Sequence, residues 1–89
     1  MHELSLIADL IGKINALAQG QGAAKVLSVR IKLGALSHVS AAHVREHFAR
    51  AARGTVAQGA QLDIEVLTDI TDPHVHEILL DSVEVEVGL

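Results

Sequence analysis

Eighty-nine residues make one small domain (1–89) with room for a single modest core. About half of them are apolar (49%), yet Phe48 is the one aromatic residue, so Ile, Leu, Val and Ala must build that core. A net charge of −4 and the missing aromatics exclude a general nucleic-acid binder, and the absence of cysteine excludes disulfides, thiolate zinc sites and a Cys nucleophile.

The chain opens Met1-His2-Glu3, which sets an imidazole beside an α-amine and two early backbone amides. Nitrogen donors in a square-planar or tetragonal set suit nickel(II) or copper(II). Met1 is expected to be retained, because initiator removal favours a small second residue and His2 is large. Residues 4–19 then read as an amphipathic helix, with Leu4, Ile7, Leu10, Ile11, Ile14 and Leu17 at three- and four-residue spacing. Gly12 weakens this helix and suggests a close packing contact, and Gly20 and Gly22 supply its stop.

Residues 25–34 switch to a period of two: Val29, Ile31 and Leu33 alternate with Ser28, Arg30 and Lys32, and Gly34 ends the strand. Ser37 and Ser40 are N-cap candidates for a helix over about 41–53 with the apolar stripe Val44, Phe48, Ala51 and Ala52. Arg50 and Arg53 sit near its C-terminus, where the dipole favours cations. A strand at 61–67 places Leu62, Ile64 and Val66 inward and Asp63 and Glu65 outward. Residues 68–76 (TDITDPHVH) are irregular. In the last strand, about 77–87, Ile78 and Leu80 have opposite parity to Val83, Val85 and Val87, which predicts a bulge near Asp81.

The order α-β-α-β-β predicts an α/β (α+β sandwich) fold: a three-stranded mixed sheet with two helices packed on one face. The other face stays open, a candidate surface for a partner or a homodimer.

Several segments together resemble the HypA/HybF family of nickel-incorporation proteins. They are Met1-His2-Glu3-Leu4-Ser5-Leu6, Leu33-Gly34-Ala35-Leu36-Ser37 with Val39, Phe48, Gly54-Thr55-Val56, Gly59-Ala60-Gln61-Leu62, and the ending from Glu77 to Glu86. The resemblance implies a metallochaperone that delivers nickel during maturation of nickel–iron hydrogenase, with some members serving urease. It implies partners, namely a maturation GTPase and the hydrogenase large subunit. It places the nickel(II) site on Met1, His2 and Glu3. Family members also carry a zinc module with two CxxC pairs between the second and last strands. Here the loop 68–76 stands in that place, and with no cysteine no structural zinc is expected.

Two further sets of histidines read as weaker metal candidates. His43 and His47 are spaced i,i+4 on one helix face, and His38 lies just before that helix. His74 and His76 flank Val75 and would point the same way in an extended segment. All read more simply as polar surface. No nucleophile motif, phosphate loop or cofactor fingerprint appears, so an enzyme is not expected. No apolar run is long enough to span a membrane, and no basic region leads the N-terminus as in a signal peptide, which makes the cytoplasm the expected location. The rival reading is a non-catalytic protein-binding scaffold of the same fold that has lost metal transfer along with the zinc module.

Overall fold

Five elements follow one another: α1 (His2–Gly20), β1 (Ala23–Leu33), α2 (Ala41–Ala51), β2 (Gln61–Val66) and β3 (Ile78–Val87). The computed structural model describes residues 2–37 and 40–87, with side chains from Leu6 onward. The strand order is β2-β1-β3, with β1 parallel to β2 and antiparallel to β3. This is the mixed sheet expected from the pattern, with α2 as the crossover between the parallel strands. The connection from β2 to β3 passes across the end of β1.

The core joins Ile7, Leu10, Ile11 and Ile14 of α1 to Val29, Ile31 and Leu33 of β1, Val44 and Phe48 of α2, and Leu62 of β2. Both helices therefore cover one sheet face. Along α1 the stripe drifts at its C-terminal end. Ala18 is fully buried, whereas Leu17, expected inward, is 50% exposed. A helix turns by 3.6 residues, so Ala18, at i+4 from Ile14 and i+7 from Ile11, stays over the sheet while Leu17 moves to the rim. The expected close contact at Gly12 is not there: a Cβ at this position would meet nothing within 4 Å. Gly22, with φ +65°, lets the chain leave the helix and enter β1.

The irregularities lie in the β1–β3 pairing, while the β1–β2 register is unbroken. Towards β3, Val26 pairs with Val85 and Ser28 with Glu84, so Leu27 is an extra, bulged residue. The bulge shifts parity, which puts Val26 in the core with Val29 and leaves Leu27 exposed. On β3, Ser82 pairs with Arg30 and Leu80 with Ile31, so Asp81 is bulged as its parity change predicted. Leu80 and Val83 both pack on the core as a result. Val66, expected inward, and Val87 are the last residues of β2 and β3 and are each 55% exposed.

Ser40 caps α2, its Oγ accepting from the His43 backbone N–H at 3.1 Å. The Ser37 backbone N–H instead closes a turn onto the Gly34 carbonyl. The stripe of α2 is Val44, Phe48 and Ala52, while Ala51 faces solvent. Arg45 reaches from α2 to the Leu62 carbonyl and ties the helix to the edge strand.

The open sheet face carries alternating charge. Ser28 Oγ donates to Glu84 Oε1 at 3.1 Å, and Lys32 Nζ lies 3.8 Å from Asp81.

Candidate metal site

Met1 lies outside the described residues, as do the side chains of His2 and Glu3. Their position along the chain is nonetheless informative, because α1 begins at His2. The first four N–H groups of a helix have no intrahelical acceptor. The amides of His2 and Glu3 therefore start without a helical partner, and their deprotonation costs no helix hydrogen bond. The positive end of the helix dipole opposes a cation there, by about 0.3–1 kcal/mol. Were a divalent cation bound there, loss of amide protons would supply the compensating negative charge.

The secondary histidines are dispersed. His38 lies outside the described residues. His43 and His47 do share a face of α2, with ring centroids 6.4 Å apart at an interplanar angle of 61°. Neighbouring Glu46 is engaged by Arg50 at 2.6 Å. Among the described residues no group of three or more His, Cys, Asp or Glu converges as a metal cage.

His74 and His76 do not form the parallel pair that an extended segment would give. Residues 70–76 fold into consecutive turns. His76 Nδ1 donates to the Leu36 carbonyl at 2.9 Å, while His74 Nδ1 contacts Glu77 Oε2. These turns have their own local order. The Thr71 hydroxyl and backbone N–H both donate to the Asp69 carboxylate, at 2.6 and 2.9 Å, and hold its pKa below the usual value. The Asp72 carboxylate accepts from the His74 N–H at 2.7 Å.

The loop is also strapped to the end of β1. Gly34 N–H donates to the Glu77 carbonyl and Leu36 N–H to the Val75 carbonyl, both at 2.8 Å. The consequence is a groove of about 340 Å³ between α1 and the loop. Leu6, Asp9 and Lys13 line it from one side, and His74, Glu77 and Ile78 from the other. Sequence reasoning missed this pairing of the loop with α1. The one available signal was the i,i+3 spacing of His74 and Glu77.

Comparison with known proteins decides the family. The HypA family, described as "Hydrogenase/urease nickel incorporation, metallochaperone, hypA", matches residues 1–71. The chain belongs to the HypA family.

Among curated relatives, hydrogenase maturation factor HypA of Methylocella silvestris is 37% identical over 67 residues, covering 75% of this chain and 59% of the relative. Hydrogenase maturation factor HybF of Salmonella typhimurium is 43% identical over 65 residues, covering 73% and 58% respectively. The match thus spans under two thirds of the length of these HypA-family relatives. The fold agrees with the solution structure of the Ni metallochaperone HypA from Helicobacter pylori, at a TM-score of 0.82 and 17% identity over 97% of this chain and 98% of that one. The family match ends before β3, whereas the fold match includes it. The chain has no cysteine, so the paired CxxC zinc motif is absent from it. Among the described residues no helix is long and apolar enough to cross a membrane.

Proposed function

We propose that this chain is a non-catalytic nickel carrier of the cytoplasm. It binds nickel(II) through the Met1 α-amine, the adjoining backbone nitrogens of His2 and Glu3, and the His2 imidazole. It delivers the ion for maturation of a nickel–iron hydrogenase or urease. The observation that carries this reading is the family match that begins at Met1, on a chain whose first helix starts at His2. A terminal site opens easily, which suits an ion that must be handed on.

The turn-rich connection after β2 takes the place of the zinc module, and the 1–89 chain acts as a single nickel-binding domain. A maturation GTPase is the partner for this domain, and the hydrogenase large subunit is the recipient. Contacts that the zinc module would make are missing, so docking on the hydrogenase is weaker or depends on another protein.

Calorimetry with nickel(II) on untagged protein tests the reading. About one ion should bind per chain, and His2→Ala should remove most of the affinity while leaving the circular dichroism unchanged. Equal affinity in parent and variant would move the site away from the N-terminus.

A further inference from the structure

Helix α2 carries the sequence His43-Val44-Arg45-Glu46-His47. Its two histidines are one turn apart, and each directly precedes a core residue. Val44 is fully buried and Phe48 is 3% exposed, so the helix is pinned at both places and cannot roll. The imidazoles are thereby kept on one flank of α2, beside its buried stripe. His43 is exposed and His47 is half-buried. His47 lines a shallow groove with Ile7 and Ala8 of α1 and with Arg50 and Ala51 of its own helix. One imidazole is therefore backed by a neighbouring helix while the other stands in solvent.

The spacing suits a shared metal ion. Side chains at i and i+4 start from β-carbons about 5–6 Å apart. The two ring centroids lie 6.4 Å apart. An ion about 2.1 Å from a nitrogen of each ring can bridge centroids up to about 6.5 Å apart, and holds them closer in a cis arrangement. A change of side-chain torsion at exposed His43 brings the rings to that separation with no movement of the backbone.

The same spacing, with a glutamate just before the second histidine, holds the metal and the base of a class of zinc peptidases. In α2 the carboxylate is turned elsewhere: Glu46 Oε1 accepts from Arg50 at 2.6 Å. Among the described residues no third His, Cys, Asp or Glu joins the pair. Two imidazoles completed by solvent bind an ion without a positioned base, which supports metal capture and not hydrolysis.

We propose that His43 and His47 form a second metal site, on the surface of α2, for a divalent transition-metal ion of the kind imidazole favours, nickel(II) included. Both rings coordinate the ion and water fills its remaining positions. The ion exchanges readily, because the protein supplies two ligands and one of them is exposed. Bound there, it cross-links one turn of α2. The site shares no residue with the N-terminal reading and stands independently of it.

The test uses the full untagged chain carrying His2→Ala, titrated with nickel sulfate. Calorimetry should show about one residual ion per chain, bound more weakly than by the parent. Adding His43→Ala or His47→Ala should each lower that residual affinity by roughly tenfold or more, because the remaining imidazole loses its intramolecular partner. Adding Glu46→Gln, or His74→Ala with His76→Ala, should leave it unchanged. Excess nickel should raise the melting temperature of the His2→Ala chain, and raise it less once His43 is replaced.

Residual binding that survives both His43→Ala and His47→Ala overturns the proposal, as does the absence of any residual binding in the His2→Ala chain. A loss in Glu46→Gln as large as that in His43→Ala would make the carboxylate a ligand and overturn the two-imidazole assignment. If His2→Ala binds as tightly as the parent, the N-terminal reading falls, and the effect of His43→Ala in that chain still decides this one.

Discussion

Val75 stacks its carbonyl group directly against the α-carbon of Gly34. A Cβ on Gly34 would collide with that carbonyl and would also stand 2.7 Å from the His74 carbonyl oxygen. The obstacle is backbone, and that backbone is held by two hydrogen bonds to the same segment, from Gly34 and Leu36. Gly34→Ala is therefore expected to destabilise the fold by about 1–3 kcal/mol, the usual cost of forcing extra volume into a packed contact. Urea unfolding measures it. A midpoint equal to that of the parent would mean that the loop moves aside freely.

Gly12 gives the opposite expectation. It lies on the exposed side of α1 with nothing within 4 Å of an added Cβ. Gly12→Ala should raise stability by about 0.8–1 kcal/mol through helix propensity alone. Thermal unfolding of the two proteins side by side tests this, and a lowered melting temperature would reveal a contact that the helix surface does not show.

The bulge at Leu27 separates two adjacent apolar residues. Val26 is fully buried and Leu27 is 43% exposed. Val26→Ala should cost about 2 kcal/mol in transfer and cavity terms, and Leu27→Ala less than half of that. Equal losses in denaturant titrations would place Leu27 in the core and contradict the register.

Nickel binding should strengthen steeply with pH, because backbone amides must release protons to act as ligands. Calorimetry in buffers of different ionisation enthalpy counts those protons. More than one proton should leave per ion bound near neutral pH. A count of zero would exclude amide ligation.

Asp69 should titrate below the usual aspartate value, because the Thr71 hydroxyl and then its backbone N–H stabilise the carboxylate. A depressed folded-state pKa contributes stability above the unfolded value, and this is lost as pH falls through the folded one. Full exposure keeps that contribution small. Thr71→Val should raise the carboxyl pKa in an NMR titration, and an unchanged value would show that the hydroxyl bond is not formed in solution.

Most of the architecture was legible because its signals are local. The run Val29, Ile31, Leu33 marks a half-buried strand, Ser40 sits where a cap is needed, and the parity change around Asp81 announced the bulge. The bulge at Leu27 was hidden, since Val26-Leu27 reads as two apolar neighbours with no parity break to notice. Leu17 misled because a leucine fits the apolar stripe by type, while geometry gives the buried position to Ala18. The N-terminal site was suggested by His2 and named by resemblance. The His74–Glu77 arrangement was not legible, because it depends on a loop reaching across the end of β1 to a helix some sixty residues earlier in the chain.

Leu33 and Gly34 are consecutive, and between them they fasten both ends of the β2–β3 connection. The Leu33 carbonyl accepts from Leu67 N–H at 2.9 Å, and Gly34 N–H donates to the Glu77 carbonyl. With β1 between them, the chain leaves β2 and re-enters β3 two strand spacings apart, about 10 Å. The segment between these two anchors touches the end of β1 through Val75 and His76 but adds no strand to the sheet. Doubling the length of such a segment adds only about 0.6 kcal/mol of closure entropy. The end of β1 is thus a socket: a few turns or an entire folded guest, provided its own termini sit about 10 Å apart, can be exchanged there without renegotiating the core.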